Sequence, residues 1–164
     1  RICEIGTFKG GTLFVWCQLA DPSAKIISID LPGGPFGGGY SERSVPFFDA
    51  FCKREQELSC LRQNSHDPAT LDHVERILDG DLLDFLFIDG DHTYDGVKKD
   101  FSLYSRLVRP GGMIAFHDIV ERPKQPDIQV HRFWDELKKD CRHHEFIETS
   151  NQRRKIGIGL VNVV

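Results

Sequence analysis

The chain has 164 residues, 40% hydrophobic and 28% charged, a soluble-globular composition with room for one domain and one sizeable core. Its 25 acids against 21 bases give a formal charge of −4, which argues against a nucleic-acid partner or an anionic membrane surface. No apolar run approaches the roughly 20 residues that span a bilayer, and five cysteines without a C-x-x-C pair speak against a disulfide framework or a zinc ribbon.

In chain order, "RICEIG" from Arg1 reads as a strand, and "GGTLFVWCQLA" as a helix that is apolar nearly all round and hence buried. "KIISID" is a second strand, followed by "LPGGPFGGGY" with five glycines between residues 33 and 39. Residues 42–58 return to a helical pattern with Phe47, Phe48, Phe51 and Leu58 on one side, and "CLRQN" is a short strand. Pro68 suits the first turn of a helix running to Leu78. "DFLFID" is continuously apolar, as a buried parallel strand is. Tyr94 to Val108 is helical, with Val97, Phe101, Tyr104, Leu107 and Val108 on one face, and "RPGG" ends it. "MIAFHD" is the fifth strand. A polar stretch broken by prolines follows ("ERPKQPD"), then a helix that turns Val130, Phe133, Trp134, Leu137 and Cys141 inward.

"EFIET" and "KIGIGLVNVV" close the chain as two strands, separated by "SNQRR". That gap is too short for a parallel crossover, so the two must form an antiparallel hairpin. The remaining alternation of strands and helices predicts a doubly wound, mostly parallel α/β sheet of seven strands. One domain over residues 1–164 is expected. Because the chain opens at Arg1 on strand-like sequence, a natural N-terminal segment is expected to be missing, and the free cysteines suit a reducing cytoplasm.

Ligands of such sheets bind outside the C-terminal ends of the strands. Strand one ends in "EIGTFKGGT", strand two in Asp30, strand four in Asp89 and strand five in His117-Asp118, so four polar ends meet on one rim. The glycines of the first loop allow close backbone approach, and the helix after Gly11 points free N–H groups at the same place. The spacing G-x-x-x-G-G differs from the dinucleotide pattern G-x-G-x-x-G, since residue 8 is Phe. An acid at the end of strand two suits ribose hydroxyls; taken alone it reads equally as a turn cap.

Glu4-Ile5-Gly6 with Gly10-Gly11-Thr12, Asp30, "FLFIDGDHTYDGVKKD" and "LVRPGGMIAFHD" resemble the class I S-adenosylmethionine-dependent methyltransferases. More narrowly, they are similar to the family of macrolide-sugar O-methyltransferases and cephalosporin-hydroxylase-type proteins. The resemblance covers nearly the whole chain, and the terminal hairpin agrees with the seven-stranded, Rossmann-like fold of that class. It implies that Glu4 and Gly6 line the methionine part of S-adenosylmethionine, with Thr12 offering a hydroxyl to its carboxylate. Asp30 would hold the ribose, and Ser65 or its neighbour Asn64 would lie near the adenine. Asp89 would border both the cofactor and a divalent metal completed by Asp118 and His117. Mg²⁺ suits the carboxylates, whereas the imidazole at 117, where the family has an acid, favours Mn²⁺, Fe²⁺ or Zn²⁺. Both residues can face one ion only if the strand bends at its end.

The resemblance also makes His92 a candidate general base, its ordinary pKa of about 6.5 being suited to taking a hydroxyl proton. The bland alternative is a loop histidine bonded to Asp91 or Asp95. Asp91, Asp95 and Asp100 read as helix-start or solvated charges. His143-His144 and Arg153-Arg154-Lys155 read as surface, and His66 and His73 lack metal spacing. The glycine loop, flanked by Phe36 and Tyr40, reads either as a lid over a ligand or as a plain irregular connection. The implied reaction is O-methylation of a sugar or small natural product, with a small-molecule acceptor as partner and a homo-oligomer left open. Two rivals are kept: a nicotinamide-dependent dehydrogenase and a domain that binds the cofactor without catalysis.

Overall fold

The computed structural model describes residues 1–34, 38–148 and 156–164. Seven strands form one sheet in the order β3-β2-β1-β4-β5-β7-β6. The strands are β1 (Ile2–Ile5), β2 (Lys25–Asp30), β3 (Glu57–Arg62), β4 (Leu83–Ile88), β5 (Val108–His117), β6 (His143–Ile147) and β7 (Gly157–Asn162). β1 to β5 run parallel, while β7 pairs antiparallel with β5 and with β6. The expected parallel sheet with a terminal antiparallel hairpin is therefore present.

Helices α1 (Gly11–Leu19) and α2 (Val45–Asp49) cover one face, where Leu13, Cys17, Ile26, Tyr40 and Phe48 form a small core. The other face carries α3 (Pro68–Leu78), α4 (Tyr94–Tyr104) and α5 (Val130–Leu137) over the main core, which contains Ile5, Ile29, Leu86, Ile88, Phe116 and Trp134. Capping fixes where two of these begin. The Asp67 side chain accepts the Ala69 N–H at 2.9 Å with Pro68 in the first turn of α3, and Thr93 accepts the Gly96 N–H at 3.0 Å at the head of α4. Each cap of this kind contributes about 1 kcal/mol. Gly159 on β7 is where Trp134 of α5 meets the sheet, since a Cβ there would stand 2.6 Å from the indole.

Several boundaries differ from the sequence expectation. The helix expected over 42–58 shrinks to a 3-10 turn at Glu42–Ser44 and the single turn of α2, because the Glu57 N–H is drawn to the Ala24 carbonyl and residues 57–62 join the sheet beside β2. "RPGG" lies inside β5 at a register irregularity opposite Leu83 and Phe85, instead of ending a helix. α1 is not buried all round: Leu13 and Cys17 are enclosed, but Phe14, Val15 and Leu19 are exposed. Phe36, the Arg153-Arg154-Lys155 run and all of "SNQRR" lie outside the described residues.

Candidate functional site

Two constellations stand on the C-terminal rim of the sheet. The first is the loop from Gly6 to Gly10 between β1 and α1. Gly6 has φ +91°, and a Cβ there would fall 2.1 Å from the Asp89 carbonyl oxygen, so only glycine lets this loop pass the end of β4. Asp30, at the end of β2, clamps the loop: its Oδ2 accepts the Thr7 and Phe8 N–H groups at 2.8 and 2.7 Å, and its Oδ1 accepts the Leu31 N–H at 2.8 Å. Phe8 is held left-handed by this clamp, with φ +50° and its ring half exposed. The turn-cap reading of Asp30 is thus realised in its backbone contacts.

Glu4 is fully enclosed beneath the loop. Its Oε2 accepts the Thr7 hydroxyl at 2.9 Å and its Oε1 accepts the Trp16 indole N–H at 2.9 Å. Burial pushes its carboxyl up to about 7, against the hydrogen bonds from Thr12, Thr7 and Trp16 that pull it down. The Thr7 hydroxyl also meets Ser28 Oγ at 2.7 Å, and Ser28 meets the Tyr40 hydroxyl at 3.3 Å. Tyr40 is buried in the small core against Phe48, so it cannot serve as a flap of the glycine loop. Glu4 is therefore enclosed at the base of the loop, with the part-buried Thr12 beside it.

The second constellation joins the ends of β4 and β5. β5 finishes at His117, and Asp118 takes the left-handed φ of +62°, a conformation aspartate tolerates better than most residues. That turn supplies the bend required for consecutive residues to share one side: His117 Nδ1 lies 3.1 Å from Asp118 Oδ1 and 3.2 Å from Asp89 Oδ1. His92 stands between the same two acids, Nε2 at 3.2 Å from Asp89 Oδ1 and Nδ1 at 3.4 Å from Asp118 Oδ2. Arg122 pairs with Asp118 Oδ1 from the other side.

The charges tune one another. Contact with Asp118 and then with Asp89 pushes His117 up to about 10, and Asp89 foremost raises His92 above its ordinary value. Burial acts to raise the Asp89 carboxyl, but His117 and His92 together outweigh it and hold it below the usual carboxylate range. Although close, the His117 contacts are not aligned as hydrogen bonds. Asp89 Oδ1 and His117 Nδ1 remain buried without a hydrogen-bond partner among the described residues. Such atoms are uncommon in folded proteins.

Asp89, His92 and Asp118 each offer one ligand atom, all within 4.8 Å of one another. The resemblance implied His117 as the third ligand; the group of ligand atoms that lie together here has His92 in that place, and His117 Nδ1 stands beside it against the same two carboxylates. His92 bonds neither Asp91 nor Asp95. Asp91 instead accepts the Thr93 N–H at 2.9 Å.

Asp100 departs furthest from expectation. It is fully buried on α4, its Oδ1 lies 3.2 Å from His66 Nε2, and both its oxygens lack hydrogen bonds among the described residues. This contact raises the His66 pKa. The carboxylate lies under the strand-four loop, its Oδ2 3.5 Å from where a Cβ on Gly90 would be. Ser65 offers its carbonyl to the Tyr104 hydroxyl at 2.8 Å, and the Asn64 side chain accepts the His66 N–H at 2.9 Å, closing its own turn. Trp16, Arg122, His66 and Asp100 are the contributors that sequence reasoning did not assign to the site.

A family model described as "Methyltransferase domain" matches residues 3–119. The chain is 32% identical over 126 residues to an uncharacterized protein, R132, of Acanthamoeba polyphaga mimivirus, covering 76% of this chain and 54% of that one. It thus spans about half the length of that relative. Among solved structures, the O-methyltransferase TomG of Streptomyces achromogenes, involved in tomaymycin synthesis and in complex with SAM, superposes with a TM-score of 0.65 at 21% identity, over 99% of this chain and 72% of that one. MycE, a methyltransferase from the mycinamycin biosynthetic pathway in complex with Mg and SAH, gives a TM-score of 0.59 at 17% identity, over 99% of this chain and 44% of that one. At these identities the structural likeness concerns the fold.

Proposed function

The chain belongs to the methyltransferase domain family, and from that premise we propose that it moves the methyl group of S-adenosylmethionine to a hydroxyl oxygen of a sugar or other small natural product. Residues 1–164 act in this reading as one catalytic domain. The observation that carries it is the convergence of the loop-one backbone and the Asp89–His92–His117–Asp118 cluster on one rim, joined where Gly6 touches Asp89.

S-adenosylmethionine supplies a sulfonium-borne methyl group, and the chain has places for its parts. A Cβ on Gly11 would meet nothing within 4 Å, leaving open space over the start of α1. No side chain caps that helix and no acid lies in its first turn, so its N–H groups are available to a carboxylate. Gly6 and Thr12 border this space, and Asp30 and Ser65 stand at the ends of β2 and β3, where ribose and adenine would lie. Asp89 adds negative charge toward the sulfonium. Glu4 acts beneath the loop, holding Thr7 and Trp16.

His92 is the base. With Nε2–H directed at Asp89, its Nδ1 lone pair faces the Asp118 carboxylate, which increases its affinity for a proton. The proton of the acceptor hydroxyl arrives at Nδ1, and the resulting imidazolium lies between two carboxylates. Methyl transfer is then an in-line displacement governed by positioning.

A second reading rests on the three ligand atoms within 4.8 Å and on the orphaned Asp89 Oδ1. Asp89, His92 and Asp118 would hold a divalent cation, with an N/O donor set favouring Mn²⁺ over Mg²⁺. Such an ion supplies Lewis-acid polarisation of a substrate oxygen. His92 would then be a ligand and not the base.

Thermal unfolding with S-adenosylhomocysteine or NAD tests the cofactor: stabilisation by the former is expected, about 2.7 kcal/mol at a hundredfold excess over Kd, and stabilisation by NAD alone defeats the reading. For the base, His92→Asn should lower kcat by roughly 10²–10⁴-fold in metal-free enzyme. It should also abolish an acidic limb of the rate profile that lies above pH 6.5. A profile unchanged by the substitution removes His92 from that role.

A further inference from the structure

From Asp118 the chain leaves the sheet, runs through an irregular stretch and returns to the site, where the Gln129 N–H donates to the His92 carbonyl at 2.7 Å. Ile119 and Val120 pack into the main core, but Glu121 and residues 123–127 are exposed, and between 121 and 127 Arg122 alone turns inward, its side chain 14% accessible. The guanidinium bonds Asp118 Oδ1, and its Nε is buried without a hydrogen-bond partner among the described residues. We propose that Arg122 is the resident counter-cation of this site, competing with a divalent ion for Asp118 and thereby linking the order of residues 121–127 to occupancy. The proposal rests on the second, cation-holding reading above.

Asp118 Oδ1 already faces two positive donors, Arg122 and, at 3.1 Å, His117. A divalent ion on the same carboxylate would meet the guanidinium charge in a part-buried place where screening is weak. One donor must give way. The backbone of His117 is fixed in β5 by its pairing with Ile158 of β7, which limits how far its ring can withdraw. Arg122 sits on an exposed stretch, and its other side-chain contact, with Gln125 Oε1 at 3.4 Å, is local and travels with it. Arginine stays charged at every accessible pH, so only movement removes its charge. When it withdraws, the stretch 121–127 loses its one inward side-chain tether.

Titration calorimetry with Mn²⁺ alone, on the wild type, Arg122→Gln and Arg122→Lys, tests this. Removing the competitor should tighten Mn²⁺ binding roughly tenfold in Arg122→Gln, the scale of one charge-assisted hydrogen bond. Arg122→Lys, which keeps the charge, should stay near the wild type. Hydrogen exchange gives a second readout: amides of 121–127 should exchange faster in the wild type once Mn²⁺ is bound, and be fast with or without it in Arg122→Gln. Equal or weaker binding by Arg122→Gln overturns the proposal while leaving the cation site standing, as does unchanged exchange in the Mn²⁺-bound wild type. Absence of Mn²⁺ binding in all three proteins removes the cation site and the proposal together.

Discussion

The two halves of the rim are built on opposite terms. Around Asp30 and Glu4, the oxygens are paired with N–H and O–H groups at 2.7 to 2.9 Å, and the loop is held as a finished scaffold. Around Asp89 and Asp118, the groups approach at 3.1 to 3.4 Å, charge faces charge, and Asp89 Oδ1 and His117 Nδ1 are left without hydrogen bonds among the described residues. The saturated half fixes the shape of the loop on which the proposed cofactor contacts depend. The unsaturated half costs stability and retains the capacity to bind a proton, an ion or a substrate oxygen. Shape and reactivity are thus divided between neighbouring strands.

Substitution at the contact between the halves should do most damage. Gly6→Ala places a Cβ 2.1 Å from the Asp89 carbonyl at φ +91° and is expected to destabilise the chain by about 4 kcal/mol or more in urea unfolding. A loss under about 1 kcal/mol would show that the halves are not in rigid contact.

Next comes the buried acid of the saturated half. The folded chain keeps the Glu4 proton up to about 7, while the unfolded chain loses it near the ordinary 4.5. Stability should therefore fall as pH rises through that window and level off above it, by on the order of 3 kcal/mol from this group. Glu4→Gln removes the titration, so the difference in stability between variant and wild type should grow from pH 4.5 to pH 7 and then stay constant. A constant difference throughout would place the Glu4 carboxyl back in its ordinary range.

The smallest effect is expected under the unsaturated half. His66→Ala leaves the buried Asp100 side chain without its histidine partner and should cost about 2 kcal/mol, less than a fully buried pair because the His66 side chain is 18% exposed. Asp100→Asn in the same background should recover most of that loss. Additive losses would mean that the two residues are not coupled.

The ends of β2 and β4 were legible because each apolar run stops on an acid, and the end of β5 because it stops on His117-Asp118. Asp100, which the sequence reading places among the solvated charges, had a signal that points inward. It follows Val97 by three residues and precedes Tyr104 by four, which puts it on the inward face of α4 with both. The signal for Trp16 was weaker: an enclosed indole needs an acceptor, but nothing in the local pattern selects Glu4, twelve residues earlier. Arg122 could not be found by period, since it lies in an irregular stretch where side-chain direction follows no repeat. The shortened α2 reflects pairing of Lys25 with Glu57 across β2 and β3, a long-range choice that a local helical pattern does not contain.

Position 118 has to satisfy two unrelated demands, a backbone turned to positive φ and a negative side chain among cations. Asparagine meets the first and glutamate the second; of the common amino acids, aspartate alone meets both. Mutational tolerance at this residue should therefore be narrower than its small size suggests. The amide and the longer acid, compared side by side, separate the shape of the strand end from the charge it carries.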